Sequence, residues 1–108
     1  MSKPTARPTV FSPKEEISYA ANSVVSQQIT KSKAGNITLF AFAEGEELSE
    51  HAAPFDAVLH VLDGTAEVHL AGEPHSLQAG QMIVLPANIP HAVRAETAFK
   101  MLLTMIRG

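Results

Sequence analysis

Apolar positions in this chain fall in short runs broken by turn residues about every eight to twelve positions. That is the spacing of an all-β sandwich or barrel, and no long helical period competes with it. The clearest run is Thr65–Leu70, where Ala66, Val68 and Leu70 take one face and Thr65, Glu67 and His69 the other. Near the C-terminus Phe99, Met101, Leu103 and Met105 share a face. Residues 37–43 differ, because Ile37, Leu39 and Ala41 oppose Phe40 and Phe42; a strand apolar on both faces is covered on both. Asp63-Gly64, standing between the runs 57–62 and 65–70, has the form of a hairpin turn. Met82–Leu85 is apolar and short enough for a buried strand, and residues 75–78 form another strand after a turn at 71–74. Residues 24–30 are enriched in β-branched residues but alternate weakly, which predicts an edge strand or one lent to a partner subunit. Eight or nine strands result. Ahead of them, Pro4 and Pro8 predict an extended arm. Ser12-Pro13-Lys14-Glu15 has the form of a capping box and predicts a helical turn ending near Ala20-Ala21, with Glu15 reaching back to the Ser12 cap. Residues 1–22 are thus an arm with a short helix, and residues 23–108 a single barrel.

Residues 80–91, GQMIVLPANIPH, join a turn, an apolar strand, a constrained second turn and a histidine. Gly80 supplies positive-φ freedom, Pro86 ends regular pairing for want of an N–H, and Asn88 tolerates a left-handed turn. Pro90 restricts the backbone again just before His91. Either His91 closes the turn by bonding backbone, or the rigid turn aims it into a site; this stretch alone leaves both open. His69, beside Glu67 on a polar face, and His75, opening a strand, read as solvated surface residues. His60 lies between apolar Val58 and Leu62, which predicts a position under another strand or at a subunit contact.

Composition narrows the function classes. The 108 residues suit one domain, and 45% hydrophobic against 18% charged residues is a globular balance. The net charge is −3 and the lysines and arginines are scattered, so neither a nucleic-acid surface nor a polybasic membrane patch is indicated. With no cysteine, disulfides, thiolate metal sites and a cysteine nucleophile are excluded. No apolar run is long enough to span a bilayer and the first residues lack the order of a secretory signal, so a cytoplasmic location is expected.

Two blocks resemble the paired motifs of the cupin superfamily, whose fold is a small jelly-roll barrel. In the first, Gly45, His51 and Gly64 keep the family spacing; in the second, Gly80, Pro86 and His91 do, with Asn88 in place of a glycine. The resemblance covers roughly residues 36–106. It implies a metal held by two histidines and a glutamate from the first motif and one histidine from the second, but the matching positions here are His51, Ala53, Ala57 and His91. Ala95 replaces the asparagine that ends the second motif. Two histidines are fewer than the three protein ligands usual for zinc, or the two histidines and a carboxylate of non-haem iron. Asp56 is the acid nearest the missing glutamate. Alternation sets it opposite Ala57, although Pro54 is placed to break the pairing and re-aim it.

What the resemblance implies is therefore a small-molecule pocket around His51 and His91, lined by Phe40, Phe42, Phe55, Met82, Met101 and Met105. One divalent ion (Fe, Mn, Ni, Cu or Zn) on His51, His91 and Asp56, or no metal at all, is equally consistent with these residues. Three readings stay open: a metal-dependent oxidoreductase or isomerase, a metal-free binding or sensing barrel, and a protein whose assembled homodimer is the functional object. A dimer fits all three, as cupins are commonly dimeric.

Overall fold

The computed structural model describes residues 9–107. After a single helical turn, α1 (Pro13–Glu16), nine strands follow: β1 (Val24–Ser32), β2 (Gly35–Phe42), β3 (Glu47–His51), β4 (Asp56–Asp63), β5 (Thr65–Leu70), β6 (Glu73–Gln78), β7 (Met82–Leu85), β8 (His91–Ala95) and β9 (Phe99–Ile106). They form two antiparallel sheets, ordered β1-β2-β9-β4-β7 and β3-β8-β5-β6, packed as the jelly roll that the turn spacing predicts. Among the described residues no helix is long and apolar enough to cross a membrane.

The core lies between the sheets. Phe42, Leu59, Val61, Val68, Phe99 and Met101 point inward and are 0–1% exposed, and the Phe42 and Phe99 rings stack at 4.6 Å. Burial of each such side chain contributes roughly 1.5–3 kcal/mol. A second cluster, Ile17 with Leu39 and Ala41, sits on the outer face of the five-stranded sheet, supported by Val25, Ile29, Leu62 and Leu102. The two apolar faces of β2 are thereby both covered, one by the core and one by the N-terminal segment. That segment is tied down by Tyr19 donating to Asp63 Oδ2 at 2.5 Å and by Lys100 donating to the Lys14 carbonyl at 2.7 Å. Burial, then the bond to Asp63 and its charge, push the Tyr19 phenol well above its usual range.

Four expectations are corrected. The helix ends at Glu16 rather than near Ala20-Ala21, because Ile17 is already extended (φ −132°, ψ 144°) and drops its side chain into the outer cluster. Its start carries no side-chain cap; the turn is closed by the Glu15 N–H donating to the Ser12 carbonyl at 2.9 Å. The proline-marked arm falls mostly outside the described residues.

Met82–Leu85 is an edge strand rather than a buried one. Ile83 packs against the core and Leu85 is buried, whereas Met82 and Val84 are 61% and 55% exposed on the outer face. Finally, Asp63-Gly64 closes no hairpin, since β4 pairs with β7 and β9 while β5 pairs with β6 and β8. The chain instead crosses there from one sheet to the other. Gly64 adopts φ +75° with its backbone against the 96–98 turn, where Thr97 Oγ1 accepts from the Thr65 N–H at 3.0 Å.

A Cβ at Gly64 would stand 2.0 Å from the Ala98 carbonyl oxygen. Gly64→Ala is therefore expected to lower unfolding free energy in urea by roughly 2 kcal/mol or more. Gly80 also has positive φ (+94°) but nothing within 4 Å, so Gly80→Ala should lose only about 1 kcal/mol in the same titration.

Candidate functional site

His51 reaches the barrel interior through a bulge. Leu48 pairs with Val93 and His51 with His91, so three steps along β3 oppose two along β8. Leu48 packs inward; strict alternation would turn His51 outward, and the extra residue restores it to the inner face beside His91. His91 is set by the 86–90 loop. Asn88 takes φ +66° and donates its N–H to the Ala53 carbonyl at 2.6 Å, while the Ala71 N–H bonds the Pro90 carbonyl at 2.8 Å. His91 is 7% exposed and His51 is exposed at the mouth.

The two rings meet edge to face, with centroids 4.3 Å apart and 68° between planes, and their Nε2 atoms are 3.1 Å apart. Each Nδ1 faces a backbone carbonyl, Ser49 at 2.9 Å for His51 and Ile89 at 3.2 Å for His91. A carbonyl oxygen only accepts, so the Nδ1 of each ring carries a hydrogen. Both Nε2 lone pairs then converge on one point. That arrangement is repulsive until a cation lies between them, and a single shared proton satisfies all three hydrogen bonds at once. Burial, reinforced by the charge of His51 and opposed by the Ile89 carbonyl, lowers the pKa of His91 below 6.5.

Residues 38–107 match the model of the cupin domain family. The chain belongs to the cupin family. A conserved protein of unknown function from Streptococcus pyogenes is similar in structure over 100% of this chain and 96% of its own, with a TM-score of 0.91 at 32% identity. A cupin superfamily protein from Desulfitobacterium hafniense has a TM-score of 0.90 at 26% identity, covering 98% and 97% of the two chains. Protein SchB of Streptomyces halstedii is 37% identical over 51 residues, a match spanning 46% of this cupin and only 37% of SchB.

The metal that the family implies can be tested against the donors present. Two imidazole nitrogens each about 2.1 Å from one ion and near a right angle apart would lie about 3 Å from one another, so the spacing in this cupin is suitable. The number of donors is not. Among the described residues no group of three or more His, Cys, Asp or Glu side chains gathers, and Ala53 and Ala57 offer methyl groups. Asp56 does not join the pair. It keeps strict alternation, pairs with Ile106 in the sheet, and spends its carboxylate accepting the Ala87 N–H at 2.8 Å, which anchors the 86–90 loop. These residues do not fit a resident metal held by the protein alone.

Of the apolar residues expected to line the pocket, Phe40 and Met105 face inward and stay partly exposed, as do Leu48 and Leu103. Phe40, Leu103 and Met105 lie on the inner face toward the end of the barrel that carries His51. Phe42 and Met101, 0% and 1% exposed, are core rather than lining. Met82 is on the outer face altogether, since it pairs with His60 while Ile83 opposite Leu59 takes the inward position. Phe55 lies in the 52–55 loop with Arg107 5.1 Å from its ring centre. Sequence reasoning missed Gln28, Asn36 and Thr38, which share the inner face with Phe40; starting that strand at Ile37 dropped Asn36, and Thr38 and Gln28 were passed over inside their own strands.

His60 is half-buried on the outer face, and His69 faces the outside of the four-stranded sheet, 3.3 Å from Glu67. An open groove of about 340 Å³ lies on that outer side between Glu47, Glu50 and His69, away from the histidine pair.

Because unfolding frees His91 to take up a proton near 6.5, which the native state resists, its contribution to stability is complete above that pH and is lost as pH falls through the interval below. Urea midpoints between about pH 7.5 and 5.5 should fall less steeply in His91→Gln, which has no proton to gain.

Proposed function

We propose that this cupin is a small-molecule-binding protein whose ligand presents an anionic oxygen to the proton held between His51 and His91. The observation that carries the reading is the convergence of two Nε2 atoms at 3.1 Å with the other nitrogen of each ring engaged by a carbonyl. A proton taken up between the rings as the ligand arrives makes the pair a positive group at the mouth of a largely apolar interior, where a carboxylate loses water and gains a charge-assisted bond. His51, exposed, meets the ligand; His91, buried, holds His51 in place. No chemical step is required of either residue.

Calorimetric titration with a panel of small carboxylic acids tests this. Binding should tighten as pH falls from about 8 to 6, since the proton must be present, and His51→Ala or His91→Ala should each weaken it by about tenfold or more. Affinity independent of pH and unchanged in both variants would overturn the reading. Elemental analysis of chelator-free, untagged protein addresses the metal-dependent oxidoreductase or isomerase: near-stoichiometric metal in the wild type, lost in His91→Ala, would replace the binder with that enzyme, its missing ligands supplied by water and substrate.

A second copy of the chain is part of the same reading. Support comes from one outer-face strip, where Met82 and Val84 stand exposed on edge strand β7 beside half-buried Val58 and His60. Exposed, apolar edge strands are normally covered. Light scattering during gel filtration should give a dimer for the wild type and a monomer for Val84→Lys with an unchanged circular dichroism spectrum. A monomeric wild type would remove the dimer from the proposal.

A further inference from the structure

The inner face of the barrel is not uniformly apolar at its mouth. In β2, Asn36, Thr38, Phe40 and Phe42 alternate to the inside, as their partners on β9 (Met105, Leu103, Met101 and Phe99) show by packing against the core. Gln28 of β1 lies directly opposite Thr38, and Ser26 opposite Phe40. The deeper half of this wall in β2 is therefore phenyl rings, and its outer half, with β1, is amides, a hydroxyl and the exposed Lys31 opposite Asn36. Asn36, Thr38 and Gln28 are all partly buried.

Register fixes where this polar wall stands. The 52–55 loop joins His51, at the end of one sheet, to Asp56, at the start of the other; the 86–90 loop joins Leu85 to His91. The row His51–His91–Leu70 and the row Leu85–Ala57–Met105–Asn36, the latter one row inside Asp56–Ile106–Gly35, thus lie at the same end of the barrel. β2 runs toward the far end and β3 returns from it, so Asn36 and Thr38 lie across the interior from the histidine pair, in sheets that stack about 10 Å apart.

The hydrogen bonding of the wall has a direction. Thr38 Oγ1 donates to Asn36 Oδ1 at 3.2 Å, which engages the amide oxygen and leaves the Asn36 Nδ2 hydrogens and the Thr38 lone pairs available. Neither Asn36 Nδ2 nor the Gln28 amide bonds another described residue, although all belong to a wall that faces inward. The wall thus offers both donors and acceptors a few ångströms apart, the complement of a hydroxyl, which gives one hydrogen bond and receives another.

Resting on the proposed capture of an anionic oxygen by His51 and His91, we infer that Gln28, Asn36 and Thr38 select a hydroxylated small carboxylic acid, its carboxylate on the histidine pair and its hydroxyl on the polar wall. A wall built to bond a hydroxyl disfavours the analogue without it, because the amide and hydroxyl groups are then left with no partner.

Matched acids differing by one hydroxyl test this: malate against succinate, and lactate against propionate, titrated into the full chain. At least one hydroxy acid should bind about tenfold more tightly than its partner. Thr38→Val and Asn36→Leu should erase that preference by weakening the hydroxy acid, with the plain acid bound at least as tightly as by the wild type; Thr38→Ser, which keeps the hydroxyl, should retain it. His91→Gln should weaken both members of each pair together. Equal affinity within both pairs in the wild type, or a preference surviving in folded Thr38→Val and Asn36→Leu, overturns the selective role and leaves capture at the histidines standing. Failure of all four acids to bind overturns the capture and this inference with it.

Discussion

The extra residue in β3 between Leu48 and His51 is the constraint on which the site depends. A strand offers its side chains to alternate faces, and Leu48 is committed to the core, so without the bulge His51 would face solvent and Glu50 would face His91. Once His51 is inside, the carbonyls of Ser49 and Ile89 dictate which nitrogen of each ring keeps its hydrogen. The opposed lone pairs follow from that. The two loops at this end hold each other in position through Asn88 and Ala53, and Asp56 fastens the second loop to the sheet. An acid expected to bind metal thus serves the loop that positions His91.

Much of the fold was legible because short strands with clean alternation state their own faces. β5 and β9 follow their patterns, and the double apolar face of the β2 region correctly implied two covers. Topology was less legible. Asp63-Gly64 has the composition of a hairpin turn, yet a hairpin and a sheet-to-sheet corner ask the same thing of a glycine, and only the proximity of Ala98 separates them. Met82–Leu85 misled for a different reason: a run with no polar residue carries no phase, and an edge strand then looks like a central one.

The site was half legible. His91 was marked by the prolines and Asn88 around it, and His51 by its spacing from Gly45 and Gly64. Their convergence was implied by the resemblance, but the bulge that achieves it was not legible, because a bulge leaves no signature in composition. Of the polar inward positions, Asn36 was hidden by a strand boundary placed at Ile37, and Thr38 and Gln28 by the apolar and β-branched neighbours that drew the reading of their strands.

β2 serves two neighbours with opposite requirements. Leu39 and Ala41 fit beneath Ile17 on the outside, while Thr38 and Phe40 face the interior. A slip of one residue would exchange these sets, thrusting a hydroxyl under the N-terminal segment and a leucine into the mouth. The grip of that distant segment on one face thus acts as a ruler for the other, and the chemistry the cavity presents is indexed from outside the barrel.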